Sequence, residues 1–240
     1  MTLQLQPQLR RLLLIGTPLL TGILLLFHPR PDPAGAAPLA TGGMDVYALL
    51  APVADLFIAV HVLFAPALVL LGLSILLLLN GAGGIAAKIS RVSAFVFVVG
   101  YGMYETIIGT ANGLLVRGAA VLSPGEQAVI SDAVNRIIGD PILGDGPSLL
   151  FVIASLSWCL AVIAAAFALR RSGKPLLSCI LLGLSAIFTF HASPLGPLGM
   201  LLFLLAVVGI ERAGAPLVTP DPVMTEDTQS LVQMADGPPR

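Results

Sequence analysis

Residues 53–79 read VADLFIAVHVLFAPALVLLGLSILLLL, 27 positions with one carboxylate, one histidine and no basic residue. A run of about 20 apolar residues crosses a hydrocarbon layer of roughly 30 Å, and no soluble helix of this length is apolar on every side. This stretch therefore predicts a helix inside a membrane. The rest of the chain agrees. Of its 240 residues, 57% are hydrophobic and 10% charged, with a mean hydropathy of +0.97. Soluble domains carry about 25% charged residues.

Working outward, similar runs occupy 11–28, 93–116, 149–169, 175–192 and 196–210, which makes six spans in an all-α polytopic membrane helical bundle. The last two are short and are separated by Ala192-Ser193-Pro194-Leu195, so they predict a tight hairpin drawn toward the membrane interior. Pro194 and Pro197 argue against one unbroken helix there. Basic residues fix the orientation. Arg10, Arg11, Lys88, Arg91, Arg170, Arg171, Lys174 and Arg212 fall at alternate connections, whereas the opposite loops hold Arg30, Arg117 and Arg136. Both chain ends are expected in the cytoplasm, with residues 1–10 a short cytoplasmic N-terminus and 211–240 a polar, disordered tail.

Two segments qualify this plan. Arg10-Arg11, an apolar run and Ala34-Gly35-Ala36 have the layout of a signal peptide over residues 1–36. The long proline-rich stretch before Ala34 argues against cleavage, which would leave five spans and remove His28. On the outer side, residues 124–139 predict an amphipathic helix. Ser123 and Glu126 form a capping box, Pro124 takes the first helical position, and Val129, Ile130, Ala133, Val134, Ile137 and Ile138 recur at helical spacing.

A net charge of -1 speaks against a nucleic-acid partner, and Cys159 and Cys179, both within apolar runs, form no metal or redox motif. The scarcity of lysine and the abundance of Ala, Leu, Gly and Pro suit a GC-rich bacterial genome, hence a bacterial cytoplasmic (inner) membrane.

Glu105 is the most informative position. A carboxylate near the middle of a span costs at least a few kcal/mol, so such residues mark functional sites by default. Tyr101, Glu105, Gly109 and Asn112 are spaced to share one helix face, a polar stripe rising toward the outer side that should look into the bundle. Gly109 and Gly113 permit close helix packing there. The topology also puts His28, His61 and His191 in the outer half. No HxxxH or HExxH is present, so a metal site must be assembled between helices from His61, Glu105 and His191, with His28 as a fourth ligand. Imidazole and carboxylate suit zinc or iron, and two histidines can hold a haem. The plainer alternative for each residue is a hydrogen-bonded structural position.

His28-Pro29, His61, the stretch Tyr101 to Gly113 and the segment His191 to Gly199 resemble those of bacterial multi-pass membrane proteins of uncharacterised function. The resemblance implies a six-helix fold and no activity. The serine, aspartate and paired-histidine pattern of ceramidase and adiponectin-receptor-like hydrolases is absent. Three functions follow. The first is an outward-facing metal or haem site, redox or hydrolytic. The second is a small proton-coupled transporter using Glu105 as its catalytic group. The third is a non-catalytic assembly or sensory subunit that meets a membrane-protein partner, or a second copy of itself, through the small-residue face of the third span or of the fourth (Ser148, Ser155, Cys159 and Ala166).

Overall fold

A computed structural model describes residues 5–29, 38–39, 43–191 and 194–213. The chain is an all-α polytopic helical bundle. Helix α1 spans Pro7–Leu26, and a minimal antiparallel strand pair, β1 (Pro38–Leu39) and β2 (Gly43–Met44), follows. Then come α2 (Val46–Leu50), α3 (Ala54–Leu78), α4 (Gly84–Tyr104), a π-helical segment (Glu105–Ala111) and α5 (Asn112–Ala119). Helix α6 is Pro124–Ile138, α7 Leu149–Arg171, α8 Leu176–Leu184 and α9 Leu195–Ala213.

Five helical stretches are long and apolar enough to cross a membrane: Pro7–Leu26, Val46–Leu78, Gly84–Ala119, Leu149–Arg171 and Leu195–Ala213. The fifth expected span, 175–192, is shorter than the sequence suggests. Leu176–Thr189 holds α8 and a 3-10 turn, and its 14 residues rise only about 21 Å at 1.5 Å per residue, well short of roughly 30 Å. The described residues Phe188 to His191 pack directly on the start of α9. Two glycines allow it. A Cβ on Gly196 would strike the carbonyl of His191, and one on Gly199 would stand 2.6 Å from the backbone nitrogen of Phe188.

Other boundaries also move. The third span is part of one 36-residue helical stretch, so Lys88 and Arg91 lie on the first turns of α4 and not in a loop. Arg91 instead bonds the carbonyls of Leu79 and Ala82, both at 2.8 Å, and ties off the end of α3. Helix α9 runs on to Ala213, three residues into the expected tail. The tail from 214, the Ala34–Ala36 motif and Ser193 fall outside the described residues.

Helix α1 is an integral part of the bundle: Leu14 and Leu25 are fully buried, and Ser74 of α3 donates to the Leu13 carbonyl at 3.4 Å. Arg10 pairs with Glu211 at 2.7 Å, which puts the start of α1 and the end of α9 at one end of the bundle. The core is aromatic. Trp158 is fully buried against Phe97, Phe188 and Phe203, and its indole donates to the Ser185 carbonyl at 3.1 Å. Helices α4 and α7 approach closely, with the Cβ direction of Gly100 3.6 Å from Ala154. Ser148 and Ser155, expected to face a partner, are buried inside this chain. At the far end α6 begins with the expected capping box and packs Ile130, Val134 and Ile138 over Leu50, Phe57 and Val116, closing the bundle above α3.

Candidate functional site

Four polar side chains from four segments meet inside the far half of the bundle. His28 lies just beyond the end of α1, and its backbone nitrogen still bonds the Leu25 carbonyl. His61 is in the third turn of α3. Glu105 opens the π-helical segment. His191 follows the 3-10 turn after α8. The imidazole of His28 has its centroid 5.0 Å from that of His61 and 5.2 Å from that of His191. Nε2 of His61 is 3.4 Å from one oxygen of Glu105, and Nε2 of His191 is 3.8 Å from the other.

Local structure explains the convergence. The π-helical stretch widens the turn on which Glu105 sits, an irregularity that occurs disproportionately at functional sites. Gly109, one turn later, lies flat against His61. A Cβ there would overlap the imidazole itself. Gly113 makes the same accommodation for Ile58, 2.7 Å from its would-be Cβ. These are the close-packing glycines that the sequence places on this face, and Gly109 is the one that admits the site histidine.

The hydrogen bonds have a common pattern. Nδ1 of His61 donates to the Phe57 carbonyl at 2.6 Å, and Nδ1 of His28 to the Pro29 carbonyl at 3.0 Å. Nδ1 of His191 meets the Tyr101 hydroxyl at 2.7 Å. Each ring is thus held through one nitrogen, and Nε2 is the nitrogen of His61 and His191 that faces Glu105. Glu105 is 1% exposed, and neither of its oxygens has a hydrogen-bond partner; nor does Nε2 of His28. The approach to His61 is within ion-pair range yet is not aligned as a hydrogen bond. An unpartnered buried carboxylate is costly and uncommon in a native interior.

An aromatic collar encloses the group. Phe57 lies 4.1 Å from the His61 ring, Phe64 6.3 Å from His191, and Tyr101 and Tyr104 5.8 and 6.3 Å from His191. The His191 side chain is 14% exposed against 3% for His61, so the site is more open on the His191 side. As placed, no group of three or more His, Cys, Asp or Glu side chains among the described residues stands ready to hold a metal ion. His191 stands 3.8 Å from Glu105, farther than the roughly 3.3–3.6 Å that separates two ligands of one tetrahedral ion.

Of the polar stripe, Tyr101 and Asn112 are both buried. Only Tyr101 touches the cluster. Asn112 donates to the Ile108 carbonyl at 3.2 Å on its own helix. Asp55 is in the first turn of α3 and pairs with Arg117 at 3.6 Å on the surface. Sequence reasoning passed over Tyr104 and Asp145. The Tyr104 hydroxyl donates to the Asp145 carboxylate, which sits in the exposed turn before α7. Tyr104 precedes Glu105 and so carries a positional signal; Asp145, in a Gly-Asp-Gly turn, carries none.

No protein-family model, curated protein or solved structure matches the chain.

Proposed function

We propose that this is a metal-binding protein of the bacterial cytoplasmic membrane. It holds one divalent transition-metal ion, zinc or iron, in the outer half of the bundle. The ligands are Nε2 of His28, His61 and His191 and the carboxylate of Glu105. The observation that carries the reading is the buried Glu105 carboxylate, unpartnered at both oxygens, with imidazole nitrogens at 3.4 and 3.8 Å.

Two ligands bound tetrahedrally at about 2.0–2.2 Å stand roughly 3.3–3.6 Å apart. The His61–Glu105 spacing of 3.4 Å fits without movement, and His191 needs a small advance. A divalent ion offsets the buried negative charge, whose isolation in this apolar collar is otherwise unfavourable. The Nδ1 partners supply the outer-shell support that metal-bound histidines normally have. A haem fits less well: His28 sits within 5.2 Å of both other rings, where a tetrapyrrole would need to pass. Four protein ligands nearly close the coordination sphere, which suits a held ion, with any exchangeable position on the His191 side.

Elemental analysis of the full-length protein, purified in detergent and loaded with zinc or iron(II), tests this. About one ion per chain is expected, reduced strongly by His61→Ala and by Glu105→Gln. A wild-type chain that retains no metal, with stability unchanged by added ions, overturns it.

A further inference from the structure

The three imidazoles differ in what holds Nδ1. For His28 and His61 it is a backbone carbonyl. A carbonyl only accepts, so Nδ1 bears the proton and Nε2 the lone pair. For His191 it is the hydroxyl of Tyr101, which can donate or accept. The hydroxyl has a second contact, the carbonyl of Thr189 at 3.3 Å, which can only accept. With its single proton given to that carbonyl, the hydroxyl accepts from Nδ1–H of His191, and the lone pair of that ring is on Nε2, toward Glu105.

We propose that Tyr101 is the positioning residue of the metal site. It fixes the tautomer of His191 and aims Nε2 at the ion. The inference rests on the metal-site reading above. Tyr101 is fully buried on α4, and it holds the segment after α8 at two points, the Thr189 carbonyl and the His191 ring. With the hydrogen bond reversed, Nδ1 would accept from Tyr101 and Nε2–H would donate to Glu105. That arrangement is a hydrogen-bonded cluster with one imidazole lone pair fewer for a metal. One hydroxyl therefore separates a metal site from a structural polar contact. Tyr104 packs against the same rings, but its hydroxyl is committed to Asp145, which makes it a natural control.

The test is a cobalt(II) titration of the full-length protein in detergent, followed by its visible absorption bands. Wild type, Tyr101→Phe and Tyr104→Phe are compared, with the thermal stability of each metal-free form measured alongside. Tyr101→Phe should bind cobalt about 10- to 100-fold more weakly and with an altered band pattern. Tyr104→Phe should keep both affinity and bands. Wild-type affinity and bands in Tyr101→Phe overturn the inference while leaving the metal site standing. So does an equal loss in both variants that follows the loss of metal-free stability, because that marks a packing effect. A wild-type chain that gives no cobalt bands refutes the metal-site reading itself, and this inference with it.

Discussion

Replacing Gly109 by alanine adds a single methyl group, and its effect can be worked from the geometry of the site. The new Cβ would overlap the ring of His61, whereas non-bonded carbons settle at about 3.5–4.0 Å. The ring must retreat by more than about 1 Å, against a tolerance near 0.2 Å for metal–ligand distances. His61 cannot rotate away cheaply, because its Nδ1 is tied to the Phe57 carbonyl at 2.6 Å and Phe57 covers its other face. Overpacking of this kind costs about 1–3 kcal/mol in stability. Loss of one ligand should lower metal affinity by at least an outer-shell defect's 10- to 100-fold. Gly102→Ala is the matched control on the same helical stretch, since nothing lies within 4 Å of its Cβ direction. By helix propensity it should be neutral or stabilising by up to about 1 kcal/mol. Thermal unfolding and metal titration of the two variants in detergent provide the readout. Wild-type stability and affinity in Gly109→Ala would refute the placement of His61 against the Glu105 segment.

Three further outcomes are expected. Trp158→Ala removes a fully buried side chain and its bond to Ser185, and should destabilise the bundle by up to the 3–5 kcal/mol seen for such truncations, measured by unfolding in mixed micelles. For orientation, a cysteine at Val121, 90% exposed, should react with a membrane-impermeant maleimide on intact cells, and one at Ile85, 75% exposed, only after permeabilisation. The Ser123 hydrogen bonds hold Glu126 below the usual carboxylate range, so its contribution to α6 is complete above the unfolded value near 4.3 and fades as pH falls toward the lower folded one. Backbone NMR of residues 124–138 should show acid loosening that Glu126→Gln displays already at neutral pH.

Hydropathy made the bundle legible because it reflects transfer into lipid, which acts on each segment separately. The capping box of α6 was equally local, and it is present where the sequence puts it. The shortness of the span before α9 was legible, but its close packing on Gly196 and Gly199 was not, because contacts across that turn are long-range and leave no local pattern. Glu105 stood out as a charge in an apolar run. Its exact surroundings did not, because the π-helical turn has no sequence pattern that distinguishes it from α-helix. Helical periodicity put Tyr101 and Asn112 together, but only Tyr101 reaches the histidines. That His28 comes within 5.2 Å of His191 depends on α1 lying beside α9, a long-range pairing that no local signal encodes.

The most direct test of the account is X-ray absorption at the metal edge of the loaded, full-length protein. The account predicts a single-metal environment of three imidazole nitrogens and one carboxylate oxygen at about 2.0–2.2 Å, with one imidazole lost in His28→Ala. A first shell of water oxygens alone, or one that His28, His61 and His191 substitutions leave unchanged, would contradict it.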